Sequence, residues 1–373
     1  MNRSLKLIIA FFLLVILVLS GVLASFICFP KEAVVVPHIT PNLVSLQSPP
    51  VMVSHQFPFE KTVLTLNLPV NTSVYEGAKQ AEKATTVYGN ISETVWLAQS
   101  YLAMIEDPAQ NSLYDSLLAE TDRIRLQQNL SDDEYLELMV AYTQSLRYET
   151  REQNPAKFPV ETVVDRSGDC DDRSLLLAGL LSREGYTVSL LLFGPESHMA
   201  VGVGSSDYQY KNTGFAFIET TNYSFIGVPT DTLEGDLLLY SDPVIIPVSN
   251  GTKIYRKGNE SRFINDMFIL YDQKVNDLGP RVKNREADLR MQQEKIASIE
   301  SSMQNLKKTG NISGYNTQVP VHNAFVAVYN ARLASYHQDF SLYEKYSLVR
   351  NYILGHMYDR KGVYEYLKQN LPS

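Results

Sequence analysis

Residues 168–193 read GDCDDRSLLLAGLLSREGYTVSLLLF, and this stretch decides the fold. Leucines at positions 175–177, 180 and 181 share one face of a helix, which we expect to run over residues 170–184. Gly185 supplies a stop signal after the last turn. The apolar run Thr187–Phe193 follows at once and is typical of a buried strand. The pattern therefore predicts a helix that packs on the strand following it.

The flanking segments extend this plan. Upstream, helical spacing recurs over residues 74–105 and 112–126. Another helix opens at Ser131 with a capping-box pattern, because Glu134 lies three residues further on. Downstream, short apolar runs predict strands at residues 199–203, 215–220, 237–240 and 244–248. Helices followed by strands predict the α+β class, with helices packed on an antiparallel sheet in a domain spanning residues 60–255.

The N-terminal segment has a different character. Residues 7–29 form a run of 23 positions without a charge, against the roughly 20 that a helix needs to cross a bilayer. Because Arg3 and Lys6 precede this run, we expect the N-terminus in the cytoplasm and the remaining chain outside the cell. A cleaved signal peptide is the alternative, although its apolar region is typically about 7–15 residues. We therefore predict a single-pass transmembrane helix within residues 1–29, with the membrane as a partner.

Proline is frequent between the predicted anchor and the predicted domain. It occurs at positions 30, 37, 41, 49, 50 and 58. Proline at this density is typical of an extended, semi-rigid linker. Residues 30–59 are therefore predicted to be a Pro-rich stalk.

The last third of the chain has a longer helical repeat. From about residue 263 the apolar residues follow a 4-3 spacing, which predicts a helical hairpin or coiled-coil-like region over residues 256–373. Pro280 should kink or divide the first helix, and residues 310–320 should form a loop before the second. Packing within the protein is one interpretation of this hairpin, and a partner-binding surface is the other.

Composition limits the classes of function. The net charge of −8 argues against nucleic acid as the main partner, because nucleic-acid-binding proteins usually carry a basic face. Seven N-x-[ST] sequons are consistent with a glycosylated ectodomain: Asn71, Asn90, Asn129, Asn222, Asn250, Asn259 and Asn311. Of the two cysteines, Cys28 lies at the membrane end of the predicted anchor. Cys170 is therefore expected to be unpaired, either as a reactive thiol or as a buried thiol that only packs.

Cys170, His198 and Glu219 have the side chains that nucleophilic catalysis requires. Cys170 opens the predicted helix, where unpaired N–H groups favour a thiolate and can bind an oxyanion. His198 stands at the start of one predicted strand, and Glu219 lies near the end of the next. An imidazole beside a thiol can take up the thiol proton and give it to a leaving group, and a carboxylate can hold the imidazole ring in place. Taken singly, each residue is better explained as a packed thiol, a surface histidine or a strand-end carboxylate.

The segment from about residue 158 to residue 221 resembles the transglutaminase-like superfamily, and most of all its prokaryotic membrane-associated members. The resemblance lies in Gly-Asp-Cys at the start of a helix, a histidine at the start of a strand, and an acid near the end of the next strand. It implies a papain-like fold with Cys170 as nucleophile, His198 as general base and Glu219 as orienting acid. The third member in that superfamily is often aspartate, so Glu219 departs from the pattern by one carbon.

The resemblance implies acyl-enzyme chemistry on a peptide or isopeptide carbonyl outside the cell. Water as acceptor would make the protein a cysteine peptidase, which is a hydrolase, and an amine would make it a protein-crosslinking acyltransferase. A membrane-anchored site in water favours hydrolysis slightly. The alternative is a non-enzymatic cell-envelope module that binds a partner.

Three further features of the sequence bear on this predicted catalytic triad. Trp96 and Gln144 are candidate oxyanion donors, although a core tryptophan and a helix-surface glutamine are the simpler interpretations. The acids Asp169, Asp171 and Asp172 lack the spacing of a calcium-binding EF-hand loop. No metal and no cofactor are expected.

Overall fold

A computed structural model describes residues 2–28, 32–150, 155–229, 232–233 and 237–371 of the chain. The protein divides into two compact units, Met1–Arg256 and Lys257–Ser373. The first unit contains all the described strands together with seven helices, and the second contains three helices. Each unit is described by itself below.

The described helices and strands alternate irregularly along the first unit and give way to helices in the second. The helices are α1 (Arg3–Cys28), α2 (Thr72–Gln80), α3 (Glu93–Glu106), α4 (Asn111–Gln128), α5 (Asp132–Ser145), α6 (Pro159–Asp165), α7 (Cys170–Arg183), α8 (Gly258–Lys308), α9 (Ile312–Gly355) and α10 (Arg360–Asn370). The strands are β1 (Ala33–Val35), β2 (Val51–Phe59), β3 (Thr62–Val70), β4 (Thr86–Tyr88), β5 (Arg147–Tyr148), β6 (Ser167–Gly168), β7 (Thr187–Phe193), β8 (His198–Gly204), β9 (Phe215–Ile218), β10 (Thr232–Leu233), β11 (Leu237–Leu238) and β12 (Val244–Asn250).

A four-stranded sheet in the order β12-β7-β8-β9 forms the centre of the first unit, and all its strand pairs are antiparallel. Val188 pairs with Val203 across β7 and β8, and Val201 pairs with Ile218 across β8 and β9. Every residue of β8 is buried, as expected for a strand between two neighbours with helix α7 packed on it. The expected α+β architecture, with helices on an antiparallel sheet, is what the chain forms.

Helix α5 begins where its capping residues require. Ser131 accepts a hydrogen bond from the backbone N–H of Glu134, and the Glu134 carboxylate accepts one from the N–H of Ser131. This reciprocal pair satisfies two N–H groups that the first turn of a helix leaves unpaired. The capping box predicted at Ser131 is therefore confirmed.

The predicted N-terminal transmembrane helix is wrong. Among the described residues, no helix is long and apolar enough to cross a membrane. Helix α1 is present over Arg3–Cys28, but within the part of the chain that the structure describes it does not qualify as a membrane span. A bilayer core about 30 Å thick needs roughly 20 consecutive apolar residues. The predicted location outside the cell rested on that helix and stays a prediction.

Residues 51–59, placed in a Pro-rich stalk by the sequence, form a strand of the first unit. They make up β2, which pairs with β3 over nine residues in a hairpin. Val53, Phe57 and Phe59 are buried in the hydrophobic core. Pro58 is tolerated because each strand of a two-stranded hairpin has an open edge, where a missing N–H leaves no partner unpaired.

The second unit is built on the long helices α8 and α9. Ile264, Tyr271 and Leu278 are buried at intervals of seven residues, as the 4-3 repeat predicted. Pro280 and Pro320 both lie inside helices, so the predicted division at Pro280 does not occur. The predicted loop over residues 310–320 is replaced by a short turn, in which Gly310 takes a positive φ of 73°. A proline removes only one hydrogen bond of the ladder, and the packing of two long helices maintains the rest.

Candidate active site

The sequence around Cys170 places its thiol at the first residue of α7. Asp169 caps the helix by accepting the N–H of Asp172 at 3.2 Å, and the Asp172 carboxylate accepts the N–H of Asp169 at 3.2 Å. Asp172 also accepts the N–H of Lys157 at 2.6 Å. Gly168 is required here, because a Cβ at this position would lie 2.6 Å from Cβ of Asp172. Two of the three predicted acids are therefore capping groups, and the helix start is fixed.

The turn between β7 and β8 positions His198. Ser197 precedes it with φ of +50°, a left-handed conformation that costs a non-glycine residue roughly 1–2 kcal/mol. Glu196 anchors the turn by accepting hydrogen bonds from the backbone N–H groups of Tyr240 and Ser241 and from the Ser241 hydroxyl. Burial alone would raise the pKa of Glu196, but these hydrogen bonds outweigh it and lower the pKa. A charged Glu196 therefore holds the turn that presents His198.

Glu219 follows β9 and is fully buried. One carboxylate oxygen, Oε1, accepts the N–H of Thr220 at 2.9 Å, the N–H of Thr221 at 2.9 Å and the hydroxyl of Thr221 at 2.8 Å. The other oxygen, Oε2, faces His198. The three donors fix the carboxylate so that one edge points at the histidine.

His198 and Glu219 meet in the interior. Nε2 of His198 lies 3.2 Å from Oε2 of Glu219, and the side chains are 5% and 0% exposed. The distance is that of a hydrogen bond, but the ring N–H is not aligned with Oε2, and neither atom bonds to another described residue. Burial would raise the pKa of Glu219, but the facing His198 and the donors of Thr221 outweigh burial and lower it. Glu219 is therefore an ionised carboxylate that a small rotation of the ring would engage.

The Cys170 thiol touches the backbone on both sides of His198. Its sulfur lies 4.0 Å from the carbonyl oxygen of Ser197, and it accepts a hydrogen bond from the N–H of Met199. Sγ is also 3.6 Å from Oδ1 of Asp171. The thiol therefore lies beside the backbone at the start of β8, where His198 stands.

The environment of the thiol opposes ionisation. Burial raises the pKa of Cys170 well above its ordinary value of 9.0, and the negative charge of Asp171 raises it further, whereas the N–H of Met199 lowers it. Cys170 is 8% exposed. The free protein therefore holds a neutral thiol, and a base must remove its proton before it can attack a carbonyl.

The structure brings all three predicted site residues into one region: Cys170 on α7, His198 on β8 and Glu219 after β9. Of the two predicted oxyanion donors, Gln144 has a different role. Its side-chain amide donates to the carbonyl oxygen of Glu219 at 2.7 Å and to that of Ser224 at 3.1 Å. It therefore holds the segment after β9 rather than an oxyanion. Trp96 is partly exposed on α3 and has no described hydrogen bond to the site.

Two residues beside the site, Tyr101 and Arg173, were not predicted from the sequence. Tyr101 on α3 lies within electrostatic reach of the thiol: burial raises the pKa of Tyr101, and the charge of Asp171 raises it further, so its hydroxyl stays protonated. Arg173, one turn along α7 from Cys170, is fully buried and donates hydrogen bonds to backbone carbonyl oxygens. Its helical phase was the available signal, since it lies on the same face as Leu176, Leu177 and Leu180.

Among the described residues, no group of three or more histidine, cysteine, aspartate or glutamate side chains is arranged to hold a metal ion. Comparisons of the chain with protein-family models, with curated proteins and with solved structures find no match.

Proposed function

We propose that the first unit is a thiol enzyme of the transglutaminase-like type, which forms an acyl-enzyme on peptide or isopeptide carbonyls. One observation carries the proposal. A buried His198 faces the Glu219 carboxylate at 3.2 Å through Nε2, while the backbone on both sides of His198 contacts the Cys170 thiol. Nucleophile, base and orienting acid in this order are the parts of a cysteine triad.

Acylation begins with removal of the thiol proton. A small rotation of the ring directs Nε2–H at Glu219 and leaves Nδ1 of His198 unprotonated, so that Nδ1 accepts the proton from Sγ of Cys170. The sulfur electron pair forms a C–S bond to the substrate carbonyl carbon, and the carbonyl electrons move to oxygen. When the tetrahedral intermediate collapses, the C–N bond breaks and the imidazolium returns its proton to the leaving amine. The product is a thioester on Cys170.

Deacylation repeats these steps with another acceptor. His198 takes a proton from a water molecule, whose oxygen attacks the thioester carbon, and the C–S bond breaks with return of the proton to sulfur. An amine in place of water gives a new amide by the same route. The same three residues serve both outcomes, so the acceptor decides between hydrolase and acyltransferase, and hydrolysis is the outcome in water.

The raised pKa of Cys170 makes His198 indispensable to this scheme. A thiol that ionised by itself near neutral pH would need no base, but burial and Asp171 hold this thiol neutral. The ionised Glu219 stabilises the imidazolium that forms when His198 takes the proton. Cys170 stands at the N-terminal end of α7, where the partial positive charge of the helix would stabilise the oxyanion.

Alkylation of Cys170 tests the proposal. In a Cys28→Ser background, iodoacetamide should label Cys170 of the folded protein at pH 7, as located by peptide mapping. His198→Gln should slow this labelling by about tenfold or more, since general-base assistance contributes about 10²–10⁴-fold to a rate. Labelling of Cys170 only after unfolding, or equal rates with and without His198, would overturn the proposal.

A second candidate is a non-enzymatic binding module that uses the same fold. The observation in its favour is the burial of Cys170 beside Asp171, which stabilises the neutral thiol. Such a module would show no dependence of thiol reactivity on His198. The alkylation experiment therefore separates the two candidates.

A further inference from the structure

Arg173 is the largest of the side chains that are fully buried in the described residues. A buried charge is costly unless hydrogen bonds satisfy it. Burial lowers the pKa of Arg173 to about 10, with Tyr148, Glu219, Asp169 and Asp172 acting in the opposite direction. The side chain therefore remains a cation at neutral pH, in the interior, one helical turn from Cys170.

The guanidinium binds carbonyl oxygens from three separate segments. Nε donates to Gly168 at 3.1 Å, and Nη1 donates to Thr220 at 2.8 Å and to Thr221 at 3.0 Å. Nη2 donates to the carbonyl oxygen of Leu146, directly after α5. The ring of Tyr148 lies 5.4 Å from the guanidinium carbon.

Each of these carbonyl oxygens belongs to a segment that carries the site. Gly168 precedes Asp169, the cap that fixes the start of α7 at Cys170. Thr220 and Thr221 form the turn whose N–H groups hold the Glu219 carboxylate. Leu146 is the C-cap of α5, so the bond to its carbonyl oxygen fixes the end of that helix. The Gln144 side chain on α5 binds the carbonyl oxygen of Glu219.

We propose that Arg173 is the positioning residue of the site: its planar guanidinium ties the Cys170 segment to the Glu219 turn and so sets the geometry in which His198 takes the thiol proton. This inference rests on the proposed function. A guanidinium offers five donors in a rigid plane, whereas a lysine ammonium offers three donors on one atom. Lysine at position 173 would keep the charge but lose the simultaneous contact with four carbonyl oxygens.

Arg183 provides a matched control on the same helix. It is partly buried, donates to the carbonyl oxygens of Gly179 at 3.1 Å and Ile105 at 3.4 Å, and stacks over Tyr114 at 3.6 Å. None of these contacts reaches the start of α7 at Cys170, the turn before His198 or the turn after Glu219. Arg183→Lys therefore perturbs α7 without perturbing the site.

The test compares full-length Arg173→Lys, Arg183→Lys and the parent, all in the Cys28→Ser background. The readout is the rate of Cys170 alkylation by iodoacetamide between pH 5 and pH 9, beside the thermal midpoint. Arg173→Lys should lower the His198-dependent rate near neutral pH by about tenfold or more, because small misplacements of reacting groups cost rates of this order. Arg183→Lys should keep the parent pH profile even where its thermal midpoint falls.

A folded Arg173→Lys protein with the parent pH profile would overturn the inference. If Arg173→Lys does not fold, Arg173→Gln is the second variant, since its amide has two donors for the carbonyl oxygens in place of the five of the guanidinium. Its neutral-pH rate should fall by about tenfold or more, and an unchanged profile would overturn the inference. Failure of the proposed function is distinct, because the parent and His198→Gln would then have the same profile whatever residue 173 does.

Discussion

His198 Nε2 and Glu219 Oε2 lie 3.2 Å apart, and neither atom makes a hydrogen bond to any other described residue. The other oxygen of Glu219 is fully occupied by Thr220 and Thr221. The carboxylate is therefore fixed on one edge and free on the edge that faces the ring. In the proposed mechanism, this arrangement places the ring proton of His198 on Nε2.

Glu219→Gln tests that assignment. A glutamine would keep the acceptor for the two N–H groups but would turn its NH₂ toward Nε2, so Nδ1 of His198 would carry the proton and could no longer accept one from Cys170. We expect Cys170 alkylation at pH 7 to slow by at least about a hundredfold, as expected when a base is held in the wrong tautomer. Glu120→Gln, which alters a surface pair with Arg123, should leave the rate unchanged; equal rates for both variants would contradict the assignment.

The lowered pKa of Glu219 also predicts a difference in acid stability. Hydrogen bonds to the carboxylate lower this pKa below its ordinary value of 4.5 in the folded state. The corresponding stability is present above about pH 4.5 and is lost as the pH falls below it. Urea unfolding between pH 3 and pH 7 should show that the stability advantage of the parent over Glu219→Gln shrinks toward acid. A constant advantage across this range would contradict the lowered pKa.

The raised pKa of Cys170 predicts the opposite behaviour in alkali. The unfolded thiol ionises near its ordinary value of 9.0, and the folded thiol does not. The stabilising contribution is therefore complete below about pH 9 and is lost above it, at about 1.4 kcal/mol per pH unit. The difference in free energy of unfolding between the parent and Cys170→Ser should follow this slope, while contributions from the buried tyrosines cancel. If the free energies of unfolding of the parent and Cys170→Ser changed in parallel up to pH 10.5, the thiol would not be held neutral.

Gln144→Leu should affect both stability and the site. It leaves the carbonyl oxygens of Glu219 and Ser224 without their donor, which costs about 1–3 kcal/mol for a buried group, and it frees the segment after β9. Gln110→Leu is the matched control, because Gln110 is also buried and donates to the carbonyl oxygen of Met104, away from the site. Both variants should unfold at lower temperature, and only Gln144→Leu should slow Cys170 alkylation. Slowing in both would indicate a general loss of stability.

The long helices of the second unit give a prediction independent of the site. Asp339 on α9 is 7% exposed and binds Arg281 at 3.1 Å and Arg285 at 2.8 Å on α8. Because both arginine side chains are more than a third exposed, solvent screens the pair, and Asp339→Asn should cost about 1 kcal/mol. Asp288→Asn, which alters the more exposed pair with Arg332, should cost less. Urea unfolding of the full-length variants measures both, and a larger loss for Asp288→Asn would contradict this ranking.

Local patterns in the sequence predicted the elements that carry the site, but not the contacts that join them. The strand Thr187–Phe193 and the start of the helix at Cys170 are as predicted, because a short apolar run, capping acids and a stop glycine act over a few residues. Arg173 and Gln144 escaped prediction because their partners are carbonyl oxygens as far as 48 and 80 residues away in sequence. A charged residue among acids is typical of an exposed surface, and this expectation outweighed the helical phase of Arg173, which places it on the buried face. The predicted transmembrane helix is a correction of another kind, because no helix among the described residues is long and apolar enough to cross a membrane.

Formation of an acyl-enzyme is the direct test of Cys170 as the nucleophile. The folded protein, in the Cys28→Ser background, is mixed at pH 7 with the 4-nitrophenyl ester of a short N-blocked peptide and analysed by intact mass and peptide mapping. We expect one acyl group on Cys170, slower acylation in His198→Gln and no acylation in Cys170→Ser. Water should then release the acyl group, and an added amine should release it faster. A folded protein that leaves Cys170 unmodified, or that acylates it equally fast without His198, would contradict this expectation.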